Sequence, residues 1–350
     1  MPRRIAVFVP NWVGDAVMAT PTLRALRLHF GPDAEIVGIM KPTIAQVLHG
    51  TEWLTEFWLY DRQSRDWRQR PPALWWRLVR GRFHASVHLT NDFLTAFLAT
   101  LSGIPDRAGY DRYRRGWLLT RALQPPHDGN VFLPIPALDY YLRIAGSLGC
   151  PEQPKHMQLH ASPEDEAAAD RAWQSFGLRP EEPVILLNQS GAYGPAKLWP
   201  DEYFAALAVR LAAQTDMAVI VLSGPAERER SARIAALASH PRVFTLAGQP
   251  LSPGLSKACV RRARCLVTTD SGPRHFAAAF GVPVVALFGP THIGWTDTGY
   301  HQEIRLQLKV DCGPCGQRAC PEGHHRCMRD LSVDQVFEAV LRALPARCVA

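Results

Sequence analysis

The sequence predicts an α/β protein with parallel sheets in two domains, and three observations lead there. Short apolar runs alternate with helical patterns, with strand candidates at 4–9, 35–40, 56–60 and 84–89, then at 184–188, 218–222, 264–269 and 284–288. Such alternation favours parallel sheets joined by crossover helices. A chain of 350 residues, 47% hydrophobic, also exceeds what a single core usually organises. Finally, the most distinctive segments follow strands and open helices, which is where ligands bind in such folds.

The first of these segments is Asn11-Trp12-Val13-Gly14-Asp15-Ala16, which follows the apolar run Ile5–Val9 and opens a helical pattern through Leu23 and Leu26. Gly14 lets the backbone turn and approach a substrate closely, and Asp15 places a lone carboxylate at the turn, a candidate general base. An ordinary capping aspartate is the competing reading. Further along, Gln124–Pro136 reads as a loop, Leu138–Leu148 as an apolar helix, and Ser162-Pro163-Glu164-Asp165-Glu166 as a capped helix start with acids in its first turn.

After the strand at Val184–Leu187 comes the loop Asn188–Pro200, with two glycines and Lys197, able to bring a compact positive charge to a diphosphate. A solvated lysine is the plainer alternative. The G-x-x-x-x-G-K-[ST] spacing of a phosphate-binding P-loop is missing. Next, the buried-strand pattern of Arg264–Thr269 runs into Asp270-Ser271-Gly272-Pro273-Arg274-His275 and a small-residue helix to Phe280. Free backbone N–H groups at a helix start favour an anion there, and Pro273 suits the first turn because its missing donor costs nothing.

Three segments, PNWVGDAVMATPTLRAL, SGAYGPAKLWP and TTDSGPRHFAAAFGVPVVALFGPT, resemble those of the ADP-heptose:lipopolysaccharide heptosyltransferases. The second is most similar to the heptosyltransferase II branch. The resemblance spans nearly the whole chain and implies a GT-B fold: two facing Rossmann-like domains with a deep cleft, at 1–160 for the acceptor and 161–331 for the nucleotide sugar. The tail 332–350, with helical spacing through Val336, Phe337 and Val340, is then expected to pack back on the first domain. The resemblance further implies an ADP-heptose donor, a lipopolysaccharide inner-core acceptor, and inverting transfer with Asp15 as base. Lys197 would contact the donor phosphates, Asp270 the heptose hydroxyls, and Ser271 and Gly272 the diphosphate, with Gly14 and His275 as further donor-side candidates. An acidic residue for the adenosine ribose falls at Glu227 or Glu229. No D-x-D sequence occurs, and no catalytic metal is required by this reading.

Charge is uneven, with residues 1–150 carrying +6 of the net +7. Arginines interleave with Trp67, Trp75 and Trp76 between Arg62 and Arg82, and a second group spans Arg107–Arg121. Arg62, Arg65, Arg112 and Arg115 are expected to meet the anionic, lipid-linked acceptor, since arginine forks suit phosphates and carboxylates while tryptophans favour membrane interfaces. Solvated surface is the alternative, and nucleic acid is not expected. No apolar run is long enough to span a bilayer, which with the short amino-terminal strand points to a cytoplasmic protein at the inner face of the inner membrane.

Four of the eight cysteines cluster as Cys312, Cys315, Cys320 and Cys327 beside His324 and His325. Two readings stand: a structural zinc on these thiolates, or reduced cysteines packing a compact loop. Two rival functions compete with this reading. A nicotinamide-dependent oxidoreductase is disfavoured because G-x-G-x-x-G is missing after the first strand, and Asp15 together with Lys197 argues against a nucleotide-sugar- or lipopolysaccharide-binding protein without turnover, which only a turnover assay separates.

Overall fold

A computed structural model of the chain describes residues 3–129 and 131–344. It divides into two compact units, one of residues 1–160 with Gly294–Thr298, the other of Ala161–Ile293 with the chain from Gly299 onward.

The first unit holds a six-stranded sheet of β1 (Arg4–Phe8), β2 (Glu35–Met40), β3 (Glu56–Leu59), β4 (Ala85–His88), β5 (Asp106–Tyr110) and β6 (Arg121–Leu123), in the order β3-β2-β1-β4-β5-β6. Every pairing is parallel. β1 is apolar on both faces, as a strand covered by helices on both sides must be. Ala6 and Phe8 meet Leu74, Leu78, Leu98 and Ala99 of the helices Pro71–Gly81 and Phe93–Leu101. Ile5 and Val7, one residue out of phase, are buried on the opposite face.

Within the stretch 124–136 lies a small antiparallel ribbon, β7 (His127–Asp128) with β8 (Val131–Phe132), a detail too short to show in the sequence pattern. The helix expected at Leu138–Leu148 runs Ala137–Ser147.

The second unit repeats the arrangement with β9 (Val184–Asn188), β10 (Ala218–Val221), β11 (Val243–Thr245), β12 (Cys265–Thr269), β13 (Val284–Phe288) and β14 (Glu303–Gln307), ordered β11-β10-β9-β12-β13-β14 and again wholly parallel. Both orders reverse direction between the first and fourth strands, the switch point at which doubly wound sheets bind ligands. Ser162 and Asp165 form a reciprocal capping box at the start of the helix Pro163–Ser175, at the position expected.

One expectation is corrected. The helix Val333–Ala343 buries Val336, Phe337, Ala339 and Val340 in the core of the second unit, against the helix Asp201–Thr215 and strands β12–β14. Arg210 fixes it there, lying 3.9 Å over the Phe337 ring and pairing with Asp334. Its apolar stripe is thus buried in the core of the second unit, which the expectation had not foreseen. Residues 345–350 of the expected tail lie outside the described residues.

Candidate active site

In the first unit β1 runs into the helix Val13–Met18, with Trp12 at its cap making no side-chain cap bond. Asp15 is therefore not the cap; it sits in the first turn, where the helix dipole favours a carboxylate. Helix Ala137–Ser147 packs on this turn and brings Tyr141 to it. Tyr141 is buried and hydrogen-bonded to the Asp15 side chain; burial first, then the Asp15 charge and that bond, hold its phenol well above its ordinary pKa. It is a neutral donor to a carboxylate across the working pH range.

Tyr141 was not found by sequence reasoning, and its role is testable. Tyr141→Phe deletes one hydrogen bond to a charged group, worth about 1.5–3 kcal/mol, so a kcat loss of roughly ten- to a hundredfold is expected with little change in ADP affinity. An unchanged kcat and pH profile in steady-state kinetics would leave Tyr141 as packing alone.

A cavity of about 530 Å³ opens at the carboxyl ends of β1–β4, lined by Asn11, Lys41, Tyr60, Arg62, Thr90 and Asp92 among others. Tyr60 is pushed up to about 12 by burial and the Asp92 charge, so it too is a neutral donor. Arg62 is exposed and lies 3.3 Å from Asp92 Oδ1. Arg65 is exposed and Arg112 half-buried, the latter 3.8 Å over the Phe132 ring.

Arg115 does not match its expected place. It is completely buried, donating to the carbonyls of Tyr110 at 3.0 Å and Asp92 at 2.9 Å and to Asn91 Oδ1 at 3.3 Å. Tyr113 and Arg114 both take left-handed backbone angles, a turn that tucks the following arginine inward. Arg115 thus holds the 91–92 loop at the cavity rim and does not meet an acceptor.

In the second unit the loops after β9 and β12 meet at the switch point. Lys197 is buried rather than solvated: Nζ donates to Asp270 Oδ2 at 2.6 Å and to the Asp270 carbonyl at 2.9 Å, and lies 4.9 Å from the Tyr193 ring centre. Asp270 also accepts from Thr291 Oγ1 at 2.9 Å and from Arg274 Nη1 at 3.3 Å. Burial alone would raise the Asp270 carboxyl, but the Lys197 and Arg274 charges and these hydrogen bonds override it and hold it at about 2. Behind it, Arg274 pairs with Glu303, which also accepts from Arg305 Nε at 2.7 Å. Thr291, Arg274 and Glu303 complete a buried charge network that sequence reasoning had not assigned. Its one legible trace was Arg274 four residues after Asp270, an (i, i+4) spacing.

Ser271 is the cap of the helix Gly272–Phe280, and its hydroxyl accepts from Asn188 Nδ2 at 2.7 Å. Asn188 also donates to Thr268 Oγ1 at 2.8 Å, so the ends of β9 and β12 are tied together. His275 is buried and driven down to about 3, by burial first and then by the Arg274 charge. It therefore stays neutral and offers no charge to a phosphate. Of the two acids beyond β10, Glu227 is turned back into the switch point, accepting from the Gly224 backbone N–H at 3.0 Å and from Ser190 Oγ. A Cβ at residue 224 would meet that carboxylate and push it aside. Glu229 is exposed in the first turn of the next helix.

Cys312, Cys315, Cys320 and Cys327 gather with His324 and His325 around a cavity of about 20 Å³, and Cys312 Sγ lies 3.8 Å from His324 Nε2. No group of three or more His, Cys, Asp or Glu side chains among the described residues is placed to hold a metal ion. Burial and the neighbouring cysteines push the Cys327 thiol up. The segment also supports the donor-side loop, since Ala196 donates to the Arg318 carbonyl at 3.0 Å and so ties it to the Lys197 turn.

Residues 72–326 match the sequence profile of Glycosyltransferase family 9 (heptosyltransferase). The chain belongs to that family. It is 28% identical to lipopolysaccharide heptosyltransferase 2 of Escherichia coli K12, over 96% of this chain and 97% of that one. It is 26% identical to lipooligosaccharide heptosyltransferase 2 of a Campylobacter jejuni O:6 strain, over 96% and 98%. Among solved structures, the E. coli ADP-heptose lipopolysaccharide heptosyltransferase II superposes with a TM-score of 0.77 at 24% identity, covering 97% of this chain and 98% of that one. The family 9 glycosyltransferase of Veillonella parvula gives 0.80 at 22%, covering 98% and 97%. The fold is thus the GT-B α/β fold of these enzymes, and the protein is a glycosyltransferase; neither the oxidoreductase nor the non-catalytic reading is favoured.

Proposed function

We propose that the protein transfers heptose from ADP-heptose to a hydroxyl of the lipopolysaccharide inner core, with inversion at the anomeric carbon. What supports this reading is that the first unit carries a carboxylate after β1 and the second a buried Lys197–Asp270 pair and helix start after β12, in a chain matching relatives of that activity over nearly their full length. Asp15 takes the proton from the acceptor hydroxyl as its oxygen bonds the anomeric carbon, and the bond to the phosphate oxygen breaks with its electron pair leaving on ADP. The backbone N–H groups at Ser271 and Gly272, with Lys197, stabilise charge growing on the diphosphate. Asp270, fixed by three donors, receives heptose hydroxyls, Gly14 gives the close backbone approach beside the base, and Glu227 is the better placed acid for the adenosine ribose.

The acceptor belongs to the first unit's cavity, with Lys41 and Arg62 as the cations at hand, and the enzyme works at the cytoplasmic face of the inner membrane. Incubation of the purified protein with ADP-heptose and a heptose-deficient inner-core acceptor should release ADP and add one heptose by mass. No ADP release with any inner-core acceptor would overturn the reading.

Charge at the acceptor side gives a second test. Arg62→Ala and Arg65→Ala should each raise the acceptor KM a few-fold at low salt, the size expected of exposed charge contacts, and leave the ADP-heptose KM alone. The same ratio of variant to parent on a dephosphorylated acceptor would remove the phosphate contact from the scheme.

A further inference from the structure

Large exposed apolar side chains are distributed very unevenly between the two units. Among the described residues, Leu237 alone of them lies in the second unit; all others belong to the first. The densest group covers two neighbouring helices. In Pro71–Gly81, Leu74 and Leu78 face the core while Trp75, Trp76 and Val79 face out, 39%, 51% and 44% exposed. In Phe93–Leu101, Leu98 and Ala99 face the same core while Phe93, Phe97 and Leu101 form an outward stripe at (i, i+4, i+8) spacing. The two helices pack side by side on one face of the sheet, so both stripes look the same way. Trp117 extends the group, its ring 6.3 Å from that of Phe93.

Two features say what covers this face. The helix Phe93–Leu101 contains no charged residue at all, whereas the segment 62–82 beside it carries seven arginines and one acid. Arg80 lies 3.8 Å over the outward Trp76 ring, and Arg68 and Arg82 are exposed. Amphipathic rings with an apolar helix between them, rimmed by guanidinium groups, suit the headgroup layer of an anionic bilayer, where tryptophan settles at the interface and each nearby cation adds attraction. A protein partner of ordinary chemistry would not need so one-sided a charge.

The face is also continuous with the cavity of the same unit. Asp92 and Thr95 line that cavity, and Phe93, between them in sequence, starts the outward stripe.

We propose that the outer face of helices 71–81 and 93–101, with Trp117, is the membrane-docking surface of this protein and binds anionic phospholipid. It deepens the functional reading above in one respect, since an acceptor anchored in the same lipid surface would present its sugars at the cavity rim.

Vesicle flotation tests it without any turnover. The protein should float with phosphatidylglycerol-containing vesicles at low salt, far less with pure phosphatidylcholine, and release as salt rises. Trp75→Ser/Trp76→Ser and Phe97→Ser/Leu101→Ser should each weaken that binding by about tenfold or more, because each removes the apolar area that interfacial helices bury. Both double variants alter exposed positions on separate helices, so retained circular dichroism is expected, and turnover on a deacylated, water-soluble acceptor should match the parent.

Failure of the parent to bind anionic vesicles at low salt would overturn the proposal, as would equal binding by both variants. A concentration-dependent dimer that both variants return to monomer would assign the face to a second copy and also overturn it. Vesicle binding by a protein that proves inactive with ADP-heptose would sink the proposed activity and support the docking face.

Discussion

Asp15→Asn is expected to lower turnover by roughly a hundred- to ten-thousandfold, the range that a positioned general base supplies, while ADP binding and thermal stability stay close to the parent. The asparagine keeps the shape and still accepts the Tyr141 hydrogen bond, but it has no basic oxygen for the acceptor proton. Stability should hold because Asp15 is only half-buried and is not the helix cap. The loss should appear in kcat and kcat/KM alike, the sign of an interaction made in the transition state. Calorimetry with ADP and single-turnover kinetics separate the two quantities; turnover within threefold of the parent would remove Asp15 from the base role.

Most of the strands found in the sequence are buried on both faces; the half-exposed edge strand β3, expected at 56–60, is the exception. β1, β9, β12 and β13 are built on apolar runs of three to five residues, and their bounds move by a residue or none. The strands not found are edge or near-edge pieces: β5 begins with Asp106-Arg107, β6 and β11 are three residues long, and β14 alternates charge with apolar groups because it is only half-covered. Such segments are strands because the sheet beside them offers a ladder, and that is tertiary information.

The site divides along the same line. Asp15, Lys197 and Asp270 were legible because each stands in a loop directly after a strong strand, where topology dictates the place of chemistry. Tyr141 and Glu303 were not, since each reaches its partner from a distant element, Glu303 from 29 residues beyond Arg274. Exposure was equally illegible from charge alone. Arg62 and Arg115 read alike as surface arginines, yet one lines a cavity and the other is buried against three backbone and amide acceptors. The exposed tryptophans were visible in the sequence, but only the pairing of helices 71–81 and 93–101 shows that they join an uncharged stripe.

Lys197→Ala should produce the largest combined loss of stability and donor affinity. It strips the closest cation from a carboxylate that is itself buried, leaving Asp270 with Thr291 and the more distant Arg274. Removing one partner of a buried pair typically costs about 3–5 kcal/mol, and the contacts to Thr291 and Arg274 that remain favour the lower end of that range. The pH dependence identifies the pair. In the parent, the Asp270 carboxyl is depressed from 3.8 to about 2, so its stabilisation is fully present above about pH 4 and is lost as pH falls through 2. Without Lys197 that depression shrinks, so the variant should start from a lower Tm at neutral pH and lose less of it between pH 4 and pH 2 than the parent does. Asp270→Asn should flatten the same window, and the double variant Lys197→Ala/Asp270→Asn should be more stable than the sum of the single losses, because no buried charge is then left without its partner. ADP affinity, read by calorimetry, should fall in Lys197→Ala even at pH 7, where the fold persists. Strict additivity of the two single variants, together with an unchanged acid limb, would show that the 2.6 Å contact contributes nothing to folding, and unchanged ADP affinity would remove Lys197 from the leaving group.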